Sequence, residues 1–230
     1  MSDHVSPMDH DAFDTALIAA FFRLAAAEGW RRANVVAAAR AADLPLATAR
    51  ERFPGKAAVL LRFGRMADQA ALNGAASEGP VKDRLFDLLM RRFDAMQPHR
   101  AGVLALMRAL PCEPGTALLL TCATRRGMRW MLQAAGCGTS GVRGELRVRG
   151  LMAVWLWTLR TWEKDETEDL SATMATLDAA LGRADRLAGW LGGGRRATPA
   201  EAAGEPPPAE TPPGEPPPGT ESMGEDGALA

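Results

Sequence analysis

Several residue types and sequence features are scarce, and each absence excludes something. The 230 residues include no tyrosine, only three cysteines and only three histidines. Cys112, Cys122 and Cys137 lack metal-ligand spacing, and His99 is the only histidine beyond the first ten residues, so no zinc site is expected and the thiols should be reduced. The apolar run Leu151–Trp157 is far too short to cross a bilayer. Because the N-terminus also lacks an apolar signal segment, we expect a cytoplasmic protein.

Motifs that would indicate an enzyme are missing as well. The sequence has no Ser-His-acid set, metal cluster, phosphate-binding loop or dinucleotide-binding glycine pattern, so we expect no catalytic activity and no cofactor. Val, Ile and Thr seldom alternate with polar residues, which argues against strands. Hydrophobic residues make up 47% of the chain and alanine dominates them, a composition that favours an all-α fold.

Charge is distributed unevenly along the chain. The C-terminal segment 195–230 is rich in Pro, Glu, Gly and Ala and twice repeats Glu-Pro-Pro-Pro, at Glu205–Pro208 and Glu215–Pro218. It carries seven acids after residue 196 and no base, which leaves 21 acids against 27 bases, about +6, for residues 1–196. With hardly any bulky residue, this tail is predicted to be disordered, and the short polar segment 1–10 likewise. A basic body is compatible with binding of a polyanion.

Residues 11–68, here called the head, have the signals of a compact helical unit. Apolar periodicity, an N-capping Asn34 and the stop at Pro54 predict helices at Asp11–Glu28, Asn34–Ala42 and Pro45–Arg52, with a fourth helix from Lys56 onward. Two short helices joined by a tight turn and braced by a longer helix form a helix-turn-helix arrangement.

The head resembles the DNA-binding head of the TetR family of regulators. The resemblance rests on Ala26–Trp30, which ends in Glu-Gly-Trp, and on Arg52–Lys56, Arg-Phe-Pro-Gly-Lys, in register with it. It implies an all-α, TetR-like fold: a three-helix head followed by a larger helical bundle. The sequence departs from the family at Pro45, which stands for the usual Ser, and at Ala49-Arg50, which replaces a Leu-Tyr pair whose ring contacts DNA phosphate.

Candidate DNA contacts follow from this resemblance and from the charges of the head. Thr48 and Arg50 are predicted to reach a groove of operator DNA, where an arginine can read a guanine edge. The basic residues near them in the head are predicted to contact DNA phosphates. The predicted set of contacts is Arg31, Arg32, Asn34, Leu46, Thr48, Arg50, Arg52 and Lys56.

Residues 69–194, here called the body, are predicted to bind a ligand and to dimerise. Helices are predicted at Val81–Ala95, Pro98–Leu110, Thr116–Ala135, Glu145–Lys164 and Asp169–Leu191, with Arg91 and Arg92 largely off the apolar stripe of the first of them. The fourth is apolar almost all round. Aromatic and methionine side chains of the body are predicted to line a pocket for a small apolar ligand; the alternative is that they are ordinary core residues. The residues concerned are Phe93, Met128, Trp130, Met131, Met152, Trp155 and Trp157.

The last two predicted helices offer a way to form a homodimer. Packed against their symmetry mates, they would make a four-helix bundle. The predicted interface residues are the apolar stripe of the final helix: Leu170, Met174, Leu177, Leu181 and Leu187.

The body is also similar to the lipid-binding accessory proteins of ubiquinone biosynthesis, which share the TetR fold but are not repressors. The similar stretches run from Gln97 through Trp130 and from Leu151 to Leu187, and include the acidic turn Asp165–Asp169, Thr173 and the pair Leu177-Asp178. This resemblance implies a bound lipid or quinone. The stripe from Leu170 to Leu191 would then contact a membrane surface instead of a second subunit.

Two functional hypotheses result. The first is a homodimeric transcriptional regulator that binds a roughly palindromic DNA operator through its heads and a small apolar ligand in its body. The second is a lipid- or quinone-binding accessory protein that does not bind DNA.

Overall fold

The computed structural model describes residues 7–191, and within this range every regular element is a helix. The α-helices are α1 (Pro7–Glu28), α2 (Val35–Ala41), α3 (Leu46–Arg52), α4 (Lys56–Leu72), α5 (Val81–Met96), α6 (Arg100–Ala109), α7 (Pro114–Ala134), α8 (Gly141–Trp162) and α9 (Ser171–Leu191). Short 3-10 turns, Gln97–His99 and Leu110–Cys112, flank α6. The predicted all-α fold is confirmed. The predicted tail 195–230 lies outside the described residues, and α1 begins at Pro7, inside the predicted N-terminal tail.

Local signals set the limits of the head helices. The Oδ1 of Asn34 accepts a hydrogen bond of 2.8 Å from the backbone N–H of Ala37, which confirms Asn34 as the N-cap of α2. The turn into α3 needs a left-handed residue, and Asp43 takes that conformation with φ 53°. Pro54 follows Phe53, the C-cap of α3, as its restriction of the preceding residue predicts.

Helix α1 joins the head to the body. Its Leu17, Ile18, Phe21 and Phe22 are fully buried, because α2 and α4 cover one side of the helix and α6 covers another. At the crossing with α6, a Cβ on Gly102 would collide with the carbonyl oxygen of Phe22, so only glycine permits this approach. Head and body therefore share a continuous core within the described residues, and the predicted division at residue 68 falls inside α4.

The body is built around α5 and α8. On α5, Leu85, Leu88, Leu89 and Phe93 are buried among α4, α7 and α9, as the amphipathic pattern predicts. Helix α8 packs along α9 and buries the side that carries Trp155. Its opposite side is exposed. The large apolar side chains left exposed on α8 are Val142, Leu146, Leu156 and Trp157.

The turn between α8 and α9 is held by two polar side chains. Buried Asp165 accepts hydrogen bonds from the backbone N–H and the hydroxyl of Thr173, at 2.8 and 2.7 Å, and one of 2.6 Å from the hydroxyl of Thr167. From α6, Nη2 of Arg100 donates to the carbonyls of Trp162, Glu163 and Asp165. These bonds satisfy backbone groups that the helix ends leave without partners.

In the described part of the chain, no single helix is both long and apolar enough to cross a membrane. One pair, Val81–Cys112 with Pro114–Ala134, reaches the required length and composition only when it is taken together across a bend of 120°.

Candidate functional site

The helix-turn-helix surface of the head presents part of the predicted DNA-contact set to solvent. Arg31, Arg32 and Asn34 are exposed at the start of α2, and Arg50 is exposed on α3. Leu46 is 43% exposed at the first turn of α3, whereas Thr48 is half-buried. The Nη1 of Arg50 donates to the carbonyl of Pro54 at 3.1 Å, which leaves most of its donors free.

Two other predicted contacts have partners inside the head. Arg52 forms a bidentate ion pair with Asp14, in which Nε lies 2.7 Å from Oδ1 and Nη2 lies 2.8 Å from Oδ2. The Nε of Arg62 lies 2.6 Å from Oδ2 of the same carboxylate. The Nζ of Lys56 donates to the carbonyls of Trp30 and Arg31, at 2.9 and 3.0 Å. Both side chains brace the head, but Arg52 keeps Nη1 and Lys56 keeps a third N–H donor, so their assignment as phosphate contacts stays a prediction.

Burial and charge act in opposite directions on Asp14. Burial raises the pKa of its carboxyl, but the hydrogen bonds and charges of Arg52 and Arg62 outweigh it and hold the pKa below the ordinary value. Asp14 therefore stays ionised and fixes α3 and α4 to α1.

A cavity of about 650 Å³ lies among α4, α5, α6, α7 and α8, so that residues of both the head and the body line it. Its size is that of pockets that take small organic molecules. The apolar wall includes Leu60, Leu72, Met96, Val103, Leu106, Leu110, Leu120, Met152, Trp155 and Leu159.

The predicted pocket residues separate into three groups. Trp130, Met152 and Trp155 line the cavity. Trp157 is 58% exposed on the outer side of α8. The remaining three are fully buried core residues that do not line the cavity, because neighbouring helices cover them: Phe93, Met128 and Met131.

The polar residues of the cavity are not among those predicted from the sequence. Arg92 of α5 is only 5% exposed, in contrast to its predicted place off the apolar stripe. Its Nη2 lies 3.3 Å from Oδ1 of Asp68 on α4, and its guanidinium lies 4.5 Å from the ring centroid of Trp155. The available signal was position: Arg92 follows Leu85, Leu88 and Leu89 at helical spacing, a core position that a charged residue seldom occupies.

Burial disfavours the charged forms of both Asp68 and Arg92. Burial lowers the pKa of Arg92 and raises the pKa of Asp68, and the attraction between the two charges offsets only part of each shift. The pair is therefore a costly polar feature in an apolar wall.

Three of the five residues predicted for the dimer interface are buried within the single chain. Leu170, Leu177 and Leu181 are buried in the core of the single chain, and a side chain without accessible surface has none left for a second subunit. Met174 is half-buried and Leu187 is 59% exposed. Among the side chains that the structure describes on these two helices, α8 carries four exposed large apolar residues and α9 carries Leu187.

Comparison with known proteins supports the fold. No family model and no curated protein matches the chain. Among solved structures, it is similar to the crystal structure of a TetR transcriptional regulator from Rhodococcus sp. RHA1, with a TM-score of 0.53, 17% identity, and coverage of 76% of this chain and 97% of the other. At this identity the similarity shows the fold alone. The chain has a TetR-like fold, with a helix-turn-helix head and a larger helical body. The resemblance to ubiquinone accessory proteins finds no support in these comparisons.

Proposed function

We propose that this chain is a homodimeric transcriptional regulator that binds operator DNA through α2 and α3 and a small, largely apolar ligand in the cavity. The observation that carries the proposal is the exposure of Arg31, Arg32 and Arg50 on the helix-turn-helix surface of a TetR-like fold. Arginines suit both phosphate contact and the reading of guanine. The exposed Leu46 adds an apolar contact of the kind that recognises a thymine methyl group.

Helix α4 supplies the connection between DNA and ligand. At its start, Lys56 is bonded to the carbonyls of Trp30 and Arg31 in the head. Further along, Leu60, Ala67 and Leu72 line the cavity. A ligand that favours one position of α4 therefore changes the distance between the two heads of a dimer, and DNA binding changes with it.

The outer face of α8 is the proposed dimer surface. Val142, Leu146 and Trp157 are exposed and fall on one side of the helix, and the exposed Leu156 beside them also lines the cavity. Exposed large apolar side chains on one helix face are typical of the core of a subunit interface. The exposed Leu187 of α9 extends the set on the neighbouring helix.

The test is a footprint on the DNA upstream of the protein's own gene, with affinity measured at several salt concentrations. We expect protection of a roughly palindromic site and a steep loss of affinity with salt. Arg50→Ala should abolish sequence preference, whereas Arg108→Ala, which removes an exposed arginine of α6, should leave affinity unchanged. Absence of sequence-specific binding at low salt would refute the proposal.

A second candidate is a lipid- or quinone-binding accessory protein that does not bind DNA. The observation that favours it is the engagement of Arg52 and Lys56 inside the head, which reduces the charge available to DNA, alongside a large apolar cavity. Mass spectrometry of lipid that co-purifies with the protein tests this candidate. An isoprenoid lipid in the cavity, together with no DNA binding, would establish it over the regulator.

A further inference from the structure

The cavity wall is apolar except for one buried polar site and a few polar residues. Arg92 and Asp68 form the buried site, and Arg65 and Arg126 add two exposed cations to the lining. The lining therefore carries three arginines and one acid. Neither Arg65 nor Arg126 makes an ion pair with another described residue. The charged residues of the lining therefore sum to +2, which favours an anion over a cationic molecule.

Arg92 has donors without acceptors. Its Nε and Nη1 make no hydrogen bond, and its one ionic contact, Nη2 to Asp68 Oδ1, is long at 3.3 Å. Oδ1 of Asp68 also receives no hydrogen bond. Buried donors are almost always paired in native proteins, so a guanidinium left in this state inside a cavity indicates a missing acceptor.

The surroundings hold both side chains in place. Trp155 lies against the guanidinium of Arg92 and packs on Phe93, with centroids 4.5 Å apart. On the other helix, the carboxylate of Asp68 occupies the space beside Gly127, where a Cβ would lie 2.5 Å from Oδ2. The polar site is thus positioned by packing before any ligand enters, which lowers the entropic cost of binding.

We propose that the cavity binds an amphipathic organic acid whose carboxylate pairs with Arg92 and whose apolar body lies along the wall formed by Val103, Leu106 and Leu120. This inference rests on the proposed function and names the ligand class of the same cavity. The carboxylate supplies the acceptors that Arg92 lacks, in a water-poor setting where charge-assisted hydrogen bonds are strong. The flat face of the guanidinium stays on Trp155, so binding needs no rearrangement of the aromatic wall.

The experiment is isothermal titration calorimetry of the full chain with two acids, decanoic acid and 2-naphthoic acid, each beside its methyl ester. The ester keeps the apolar body and removes the negative charge. We expect at least one acid to bind about tenfold to a hundredfold more tightly than its ester, the range of a hydrogen bond to a charged group.

Three variants assign the effect to the buried site. Arg92→Met should bring acid and ester to similar affinity. Asp68→Asn should strengthen binding of the acid and not of the ester, because it removes the competing carboxylate. The double variant Asp68→Asn/Arg92→Met removes both buried charges and guards against misfolding of the single Arg92→Met variant. Arg108→Met, on the exposed side of α6, serves as the control for a general loss of charge.

The outcomes separate this inference from the proposed function. Equal affinity for acid and ester, or an acid preference that survives Arg92→Met, would overturn the inference while the cavity remains a ligand site. Failure of both acids to bind would also overturn it. The footprint assay tests DNA binding independently, so a chain that binds acid without binding DNA refutes the regulator and leaves the ligand class standing.

Discussion

The indole Nε1 of Trp30 donates a hydrogen bond of 3.0 Å to Oε2 of Glu113, although the two residues are 83 positions apart. Trp30 belongs to the turn after α1, and Glu113 immediately precedes α7. The same oxygen accepts a bond of 3.0 Å from the hydroxyl of Thr116. Because α7 also lines the cavity, this contact links the head to the ligand site by a second route beside α4.

Removal of the Glu113 acceptor should loosen this link. Glu113→Ala leaves the indole N–H of the buried Trp30 without a partner, and we expect it to lower the free energy of unfolding by about 1–2 kcal/mol. Glu113→Gln keeps an acceptor and should cost less. Chemical denaturation monitored by tryptophan fluorescence measures both. Equal stability of the two variants would show that the hydrogen bond contributes nothing.

The Asp14 carboxylate should be among the main electrostatic supports of the head. Asp14→Asn leaves Arg52 and Arg62 without their shared counter-ion, and we expect a loss of about 3 kcal/mol, as for other broken buried pairs. Asp11→Asn is the matched control, since Asp11 pairs with the same Arg62 at 2.6 Å but its side chain is 77% exposed. That change should cost less than about 1 kcal/mol. Similar losses for both variants would contradict the role given to burial.

The same carboxylate predicts a pH dependence. The pKa of Asp14 is lowered by folding, so its contribution is fully present above the ordinary carboxyl pKa of 3.8 and is lost as pH falls through the lowered value. Unfolding measured from about pH 5 down to about pH 2, a range that begins above the ordinary carboxyl pKa and extends well below it, should show a fall in stability that is smaller in Asp14→Asn. Identical pH profiles of stability for the parent protein and for Asp14→Asn would refute this contribution of Asp14.

The crossing of α1 and α6 should not tolerate a side chain at Gly102. Gly102→Ala places a methyl group against the backbone of Phe22, and we expect a loss of about 1–3 kcal/mol, as for other overpacked sites. Gly115→Ala, in the first turn of α7, meets no atom within 4 Å and should be neutral or slightly stabilising. Thermal unfolding of the pair gives the comparison, and equal melting temperatures would contradict the close approach.

The start of α9 should depend on Asp165. Burial raises the pKa of this carboxyl, but hydrogen bonds from Thr167 and Thr173 prevail and lower it to about 2. Its contribution is fully present above the ordinary carboxyl pKa of 3.8 and is lost as pH falls through about 2. Asp165→Asn should remove that pH dependence, whereas Asp169→Asn, at an exposed residue with one 3.2 Å bond to Ser171, should keep it. Urea denaturation at acid and neutral pH distinguishes them.

The outer face of α8 should control association. Leu146→Glu and Trp157→Glu place charges on the proposed dimer surface, so we expect each to shift the protein toward monomer in sedimentation equilibrium. Leu118→Glu is the control, since Leu118 is 66% exposed but lies on α7. A monomeric parent protein, or dimers in both α8 variants, would refute this interface.

Much of the secondary structure was predictable from local signals. The Asn34 cap, the left-handed Asp43 and the stop at Pro54 act over a few residues, so the sequence places α2 and α3 within one or two residues of their observed limits. Apolar periodicity did the same for α5, whose predicted start at Val81 is the observed one.

The burial of individual side chains was predicted less well, because apolar periodicity does not show which neighbouring helix covers a given face. Leu177 and Trp157 both belong to the apolar pattern of the sequence. The first is fully buried in the single chain because α9 packs against α5 and α8, whereas the second is exposed because no described helix covers that side of α8. The functional assignments that depended on burial changed accordingly.

The sequence by itself determined an all-α chain with helix limits set by caps, prolines and apolar spacing, since these act within one or two turns. Only the tertiary structure determined which charged side chains line the cavity. Arg92 and Asp68 lie on different helices, and Trp155 comes from a third, so no local pattern relates them. Their proximity, and the unpaired donors that result, follow from the packing of α4, α5 and α8 around one shared space.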